Sequence, residues 1–406
     1  MNTALFTVFF GSGLTFAQLY LLSRILDINT YIHARAVINT MNNLAPLLCL
    51  GFDSGAPLLK KISSTSFFWN LLFLNAIIFI STLLLAIHFQ ANSKIQTILF
   101  GISASTTLAV TIVIANYRRS HGETRQYFLS VNVYDRLLRT FIIIGCALLI
   151  NNLTNWAAAI CLLSAAYAIY IAKLTKTKID LNYQKFINQL KISIPFIFVS
   201  LGILVISRIP FYASYFFDNN IYAAKLDFFL LFSLFILIPF LNQSKIQEAK
   251  SEASLSNYLE YMRQGWRHIF IQELFIMMLM FVLAWIAIFI KKADGYEIKY
   301  ICAPILCGMI LVSSIPNFIQ LICFSMNGNK AIRHSITLVL ITLLIYTPKI
   351  FFREISTTFF FVASTVLYVI FGCLVAKNLR IKLNMFLRLT RTIILLLLLW
   401  CFYFLI

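Results

Sequence analysis

Residues Leu72–Phe89 read LFLNAIIFISTLLLAIHF, an apolar run without Asp, Glu, Lys or Arg. A second long run, Ile269–Ile290, carries a single charged residue, Glu273. A helix needs about 20 apolar residues to cross a hydrocarbon core of roughly 30 Å. Strands of a membrane barrel would instead alternate apolar and polar side chains. These runs therefore predict transmembrane helices.

The composition of the whole chain agrees with this interpretation. Of the 406 residues, 61% are hydrophobic and 12% are charged, and the mean hydropathy is +0.87. A soluble domain is about 45–50% apolar and about 25% charged. The high content of Phe, Ile and Leu in this chain also excludes intrinsic disorder. The chain is predicted to be an integral membrane protein.

The apolar runs predict an all-α polytopic membrane protein with twelve spans in two six-helix lobes around a central cavity. The predicted spans of the first half lie near Ala4–Leu26, Ala36–Leu58, Phe67–Phe89, Ile95–Ala115, Asp135–Ile150 and Trp156–Ala172. Those of the second half lie near Ile192–Phe217, Ile221–Leu241, Ile269–Ile290, Ile301–Phe324, Ile336–Phe352 and Thr357–Ala376.

The domain boundaries follow from these spans. We assign residues 1–172 to the first lobe and residues 192–376 to the second, with a basic cytoplasmic linker at 173–191. Residues 377–406 form a basic segment followed by a hydrophobic tail. The apolar stretch Thr392–Ile406 is about 22 Å long as a helix. It is either a short thirteenth span or an interfacial segment, and the sequence leaves both open.

The basic residues predict the orientation of the chain. With the N-terminus in the cytoplasm, most of the 33 Lys and Arg residues, including Arg119, Arg136 and Arg139, fall in cytoplasmic segments. Fewer fall on the outer side, among them Arg35 and Lys349. Most of the formal net charge of +19 is therefore interpreted as an orientation signal, and not as a nucleic-acid site.

Several classes of function are excluded by missing motifs. The eight cysteines form no CxxC pair and lie in hydrophobic runs, so neither a disulfide framework nor a zinc site is predicted. The sequence contains no GxxxxGK[ST] motif, so ATP is not the expected direct energy source. No cofactor is expected. The connections are too short to hold a soluble catalytic domain.

Four basic residues lie in or beside spans: Arg24, Arg35, Arg208 and Lys225. A charge near the centre of a span costs roughly 2.5–3.5 kcal/mol, so such residues usually face a cavity or a partner. The halves repeat each other weakly here, with LLSRI at Leu21–Ile25 and VISRI at Val205–Ile209. Two equivalent sets of bases would form a cationic chamber suited to a diphosphate or another acidic headgroup. Structural ion pairs and interfacial positions are the alternatives.

These motifs resemble those of a known family. The run Leu22–Asp27 (LSRILD), then Tyr31, then LGFDSGA from Leu50, is similar to the opening of O-antigen flippases of the Wzx type. Those proteins belong to the multidrug/oligosaccharidyl-lipid/polysaccharide exporter superfamily. Ser207-Arg-Ile followed by Tyr222 resembles the start of the second lobe in that family.

The resemblance implies a transporter, not an enzyme, in a bacterial inner membrane. Its substrate would be an oligosaccharide repeat unit on undecaprenyl diphosphate, flipped between leaflets by alternating access during surface polysaccharide synthesis. A proton or sodium gradient, or the membrane potential, would drive the step. Membrane lipids and a polysaccharide polymerase would be its partners. Asp53 and Asp227 are the candidates for coupling or gating, with a salt bridge or helix-end contact as the alternative.

Two other functions compete with this one. A small-molecule exporter of the same superfamily is the nearest alternative, but an acidic cavity is expected for cationic drugs. A membrane-embedded polymerase or glycosyltransferase is the more distant alternative. Its catalysis would depend on acids of the outer face, which are Asp218, Asp294, Glu297 and Glu354.

Overall fold

The protein is seen in a computed structural model. The structure describes residues 2–52, 64–89, 93–121, 123–150, 152–175, 177–218, 220–224, 226–227 and 328–352, with individual positions between 355 and 371. Within these ranges the chain forms helices and no strand. The helices are α1, Asn2–Ile25; α2, Ile28–Leu48; α3, Thr65–His88; α4, Ser93–Ser120; α5, Thr124–Leu129; α6, Asp135–Leu149; α7, Leu153–Lys173; α8, Tyr183–Phe217; α9, Gly328–Tyr346; and α10, Pro348–Phe351. A π-helical turn, Ser130–Tyr134, joins α5 to α6.

The chain divides into two compact units. The first unit comprises Met1–Leu204 with Asn242–Lys250, and the second comprises Val205–Leu241 with Ser251–Ile406. Four helical segments of the described chain are long and apolar enough to cross a membrane: Thr65–His88, Lys94–Ser120, Leu153–Lys173 and Ile332–Phe351. The predicted spans Ile269–Ile290 and Ile301–Phe324, with most of Ile221–Leu241 and Thr357–Ala376, lie outside the described residues, as does the tail Thr392–Ile406.

Helix α4 is the central helix of the first unit, where it packs against α2, α3 and α7. Small residues allow these close approaches, because a Cβ on Gly101 would lie 2.5 Å from Cβ of Thr40 in α2. Helix α4 also carries polar side chains on its buried face. The hydroxyls of Thr106 and Thr107 each donate to the carbonyl three residues earlier, at 2.7 Å. A buried hydroxyl satisfied within its own helix carries little cost for burial.

Helix α2 differs from the predicted span Ala36–Leu58. It begins at Ile28, where the carboxylate of Asp27 accepts hydrogen bonds from the amides of Asn29 and Thr30. It ends at Leu48, because Leu50 and Gly51 adopt positive φ angles of 47° and 78°. The turn is tightly enclosed, since a Cβ on Gly51 would lie 2.7 Å from the carbonyl oxygen of Ser193.

Helix α8 also differs from the sequence-based boundaries. It begins at Tyr183, inside the segment 173–191 that we assigned to the linker, and continues to Phe217. Asn182 and Asp180 stabilise its start, since their side chains accept from the amides of Lys185 and Asn182 respectively. The boundary between the two units falls within this helix, between Leu204 and Val205.

Candidate functional site

The predicted bases of the first unit differ in their surroundings. Arg24 lies exposed in the last turn of α1, where its guanidinium carbon is 5.3 Å from the centre of the Tyr20 ring. A positive charge at this end complements the helix dipole. Arg35, by contrast, is only 1% exposed and donates from Nη2 to Oδ1 of Asn39 at 3.1 Å. Arg35 is therefore an interior residue of the first unit.

The predicted residues of the second unit are less completely described. Arg208 is half-buried in α8, and Asp227 is fully buried. Lys225 of this unit and Asp53 of the first unit lie outside the described residues. Arg24 and Arg35 thus belong to one unit, and Arg208 and Asp227 to the other. The shared cationic chamber remains a prediction.

A buried ion pair in α6 was missed by the sequence analysis. Nε of Arg139 lies 3.0 Å from both carboxylate oxygens of Asp135, and the two residues are 5% and 6% exposed. Nη1 of Arg139 also contacts Thr107 Oγ1 at 3.3 Å and the sulfur of Met41 at 3.9 Å. Arg139, which we counted among the cytoplasmic charges, is therefore buried and paired, and its side of the membrane stays a prediction. An acid four residues before an arginine was the available signal.

Helices α1 and α6 meet along a polar seam. Gly11 faces the π-helical turn so closely that a Cβ there would lie 2.3 Å from the carbonyl oxygen of Asn132. One turn further along, Nη1 of Arg136 reaches Thr15 Oγ1 at 3.4 Å. Thr140 then donates to Oε1 of Gln18 at 3.3 Å. The seam fixes the side of α6 that carries the ion pair.

A cavity of about 310 Å³ lies beside the ion pair, between α4, the π-helical turn and α7. Its lining residues include Thr111, Arg118, Gln126, Ser130, Tyr134, Asp135 and Tyr167, with Ile112, Ile171 and other apolar side chains. Asp135 is thus shared between the ion pair and the cavity wall. The lining is mostly apolar, but it includes residues with hydroxyl, amide, carboxylate and guanidinium groups, so the cavity offers a polar molecule hydrogen-bonding partners.

The buried charges of the first unit are mostly positive. Among its described residues, Arg35, Arg119 and Arg139 are buried, whereas Asp135 is the buried acid. Arg119 lies over the ring of Tyr127, with its guanidinium carbon 5.1 Å from the ring centre. Arg119, which we counted among the cytoplasmic charges, is therefore buried, and its side of the membrane stays a prediction. Arginine in an interior is typical of sites that receive anionic groups.

The second unit contains its own buried cation. Nζ of Lys349 lies 2.6 Å from Oδ1 of Asp218, and Lys349 has no exposed surface. Thr357 donates to the other carboxylate oxygen, and Lys349 also donates to the carbonyl of Ile355. Lys349, which we counted on the outer side, is thus a buried structural residue of the second unit, and its side of the membrane stays a prediction. Asp218 is engaged in the same cluster.

No set of three or more His, Cys, Asp or Glu side chains is placed to hold a metal ion within the ranges that the structure describes. The cysteines described there, Cys49, Cys146 and Cys161, are buried. Two of them donate weakly to carbonyls of α4, Cys49 to Ala109 and Cys161 to Phe100. They act as small packing residues.

Comparison with solved structures identifies the fold. A MOP superfamily transporter from Pyrococcus furiosus, whose reversed pocket polarity was taken to suggest a different function, is 13% identical with a TM-score of 0.60. A multidrug resistance MATE family transporter in an outward-facing conformation is 12% identical with a TM-score of 0.61. Each comparison covers 96% of this chain and 95% of the other. A MATE protein in the straight conformation is 14% identical over 93% of this chain and 94% of its own, with a TM-score of 0.59.

These similarities extend along essentially the whole chain but at low sequence identity, so they show the fold. The prediction of an all-α polytopic membrane protein is confirmed. No protein-family model matches the sequence, and no curated protein matches it.

Proposed function

We propose that this protein flips oligosaccharide repeat units, carried on undecaprenyl diphosphate, across a bacterial inner membrane by alternating access. The observation that carries the proposal is the full burial of Arg35, one of the predicted diphosphate ligands, in a first unit whose described buried charges are mostly positive. Two anionic phosphates are stabilised by interior guanidinium groups, because each guanidinium offers several donors to phosphate oxygens. The fold of MOP superfamily transporters supports a transporter rather than an enzyme.

In this proposal the diphosphate is bound by Arg24, Arg35, Arg208 and Lys225. Arg35 is the best supported of these, because among those that the structure describes it is the one that lies in the interior. Asp53 and Asp227 provide coupling or gating, driven by a proton or sodium gradient or by the membrane potential. The lipid tail stays in the bilayer, the N-terminus lies in the cytoplasm, and a polysaccharide polymerase receives the product.

The proposal is tested with purified protein in liposomes that contain fluorescent lipid-linked oligosaccharide. Arg208→Ala is expected to abolish leaflet exchange while the amount of protein in the membrane stays unchanged. Lys191→Ala is the matched control, because Lys191 lies exposed on the same helix. Equal exchange by wild type and Arg208→Ala would remove Arg208 from the site. Longer glycans formed during the assay would indicate a polymerase instead.

A small-molecule exporter is the second candidate function. Its support is the similarity to a multidrug resistance MATE family transporter over 96% of this chain. A cationic drug would meet Arg35 and Arg139 in the interior, which disfavours its binding. The same liposomes loaded with an organic cation distinguish the two functions, since only an exporter would accelerate its release.

A further inference from the structure

The cavity of the first unit has the features of a built binding site. Its volume of about 310 Å³ lies at the small end of the range for small-molecule pockets. Of its lining residues, Asp135 is 6% exposed to solvent, whereas Tyr134 is 61% exposed. The cavity therefore has a buried polar end and an open side. Part of its wall is the π-helical turn, an irregularity that is frequent at functional sites.

The charges around this cavity disfavour a small cation. Both oxygens of Asp135 already accept from Nε of Arg139, which offsets the carboxylate charge. Arg118 adds a positive charge to the lining. A cation would be repelled by Arg118 and would compete with Arg139 for the carboxylate of Asp135. A simple anion would in turn meet the carboxylate of Asp135.

The cavity suits a neutral molecule rich in hydroxyl groups. Asp135 retains acceptor capacity, because a carboxylate has about four lone-pair sites. Gln126 and Ser130 add an amide and a hydroxyl, and Tyr134 and Tyr167 add aromatic rings that present apolar faces. The lining exposes more apolar than polar surface, so its occupant must offer both kinds of contact. A sugar ring has both the hydroxyls and the apolar faces that match this lining.

We propose that this cavity binds one glycosyl residue of a saccharide. The assignment to the transported substrate rests on the proposed function, and it adds a sugar-binding subsite in the first unit to the diphosphate site. The volume admits a single ring and not a whole repeat unit. The carboxylate of Asp135 accepts from hydroxyls of the sugar, and the side-chain amide of Gln126 donates to them. The rings of Tyr134 and Tyr167 pack against the faces of the sugar.

The test measures protection of a cysteine placed in the cavity. In a Leu129→Cys variant of the full chain in detergent, the thiol is placed on the cavity lining at an apolar residue that offers the sugar no hydrogen bond. It is alkylated by a water-soluble reagent, with wild type as the labelling background. The probes are methyl glycosides of glucose, galactose and N-acetylglucosamine, inorganic diphosphate, and tetramethylammonium. At least one glycoside is expected to slow alkylation several-fold, while the two ions are without effect.

Cavity filling provides the control. Ile171→Phe places a ring in the cavity, whereas Ile169→Phe makes the same change on the same helix at a residue that is 59% exposed and outside the lining. Protection by glycosides is expected to persist with Ile169→Phe and to disappear with Ile171→Phe. Should Ile171→Phe fail to fold, Gln126→Leu at the exposed mouth is expected to weaken the protection several-fold.

Each remaining outcome overturns the sugar site. Protection by diphosphate alone would indicate an anion site, and protection by tetramethylammonium alone would indicate a cation site. Absence of protection by any probe, or protection that survives cavity filling, would show that no glycoside binds there. The binding assay requires no transport, so protection without leaflet exchange would reject the proposed flipping and leave the sugar site standing.

Discussion

Arg139 holds Asp135 by a single nitrogen, Nε, which lies 3.0 Å from each of the two carboxylate oxygens. The residues are four apart on α6, so the helix itself aligns them. Arg139 is also bonded to Thr107 of α4, which ties two helices of the first unit together. The pair thereby fixes the buried acid at the wall of the cavity, and its integrity is expected to determine the stability of the first unit.

The first prediction concerns removal of one member of this pair. Arg139→Met leaves the carboxylate of Asp135 buried beside an apolar side chain, which is expected to cost about 3–5 kcal/mol of unfolding free energy. The measurement is the thermal unfolding midpoint in detergent, compared with Arg24→Met at an exposed site. Adding Asp135→Leu to Arg139→Met is expected to restore most of the loss. An unchanged midpoint for Arg139→Met would contradict the burial of the pair.

The second prediction uses two glycines of α1. Gly11→Ala places a Cβ 2.3 Å from the carbonyl oxygen of Asn132, so α1 and the π-helical turn must separate. We expect a loss of about 1–3 kcal/mol, as in other overpacked interiors. Gly13→Ala meets nothing within 4 Å and is expected to be neutral or to stabilise the helix. Equal midpoints for the two variants would show that the seam is not closely packed.

The third prediction addresses the second unit. Lys349→Met removes the ammonium group from the carboxylate of Asp218, which lies 2.6 Å away and is itself 12% exposed. The expected loss is about 3 kcal/mol or more, because an uncompensated acid stays in the interior. The loss of stability is measured by the thermal unfolding midpoint and by limited proteolysis. Arg333→Met, at an exposed position, serves as the control. Identical proteolysis patterns for both variants would reject the structural role.

The fourth prediction is a dependence on pH at the start of α2. Hydrogen bonds from the side chain and backbone of Thr30, aided by Asn29, hold the pKa of Asp27 below its ordinary value of 3.8. The folded state therefore binds this proton less readily than the unfolded chain does. The ionised carboxylate of Asp27 contributes fully to stability above pH 3.8, and this contribution is lost as the pH falls through the lowered pKa.

Two variants separate the cap from the charge. Asp27→Asn keeps a good N-cap but has no charge to titrate, so its stability is expected to fall less than that of wild type on acidification. Asp27→Ala loses the cap at every pH, at a cost of roughly 0.5–2 kcal/mol. Unfolding midpoints between about pH 5 and about pH 3 measure both. Parallel curves for wild type and Asp27→Asn would contradict the lowered pKa.

Helix positions were predictable because length and hydropathy decide them. The prediction for α6, Asp135–Ile150, differs from the observed Asp135–Leu149 by one residue at its end. The end of α2 was not predictable from hydropathy, because the apolar pattern continues past the turn at Leu50 and Gly51. A turn of positive φ depends on its contacts with Ser193, which lies far away in the sequence.

The roles of the buried charges were harder to predict. Assigning Arg119 and Arg139 to cytoplasmic segments gives no information on their burial. Their burial depends on which face of α4 or α6 packs inward, and that follows from neighbours such as Tyr127 and Thr107. The role of Arg35 as a substrate ligand stays a prediction, and its burial and its partner Asn39 on the next helical turn became apparent only in the structure.

The most direct test of the account is substrate choice by the wild-type protein in liposomes. The measurement is the rate at which labelled lipid-linked oligosaccharide in the inner leaflet becomes accessible to a glycosidase added outside. The account predicts protein-dependent exposure of the whole labelled pool, with no accelerated release of an organic cation. Exposure at the rate of empty liposomes, together with rapid release of the cation, would contradict it.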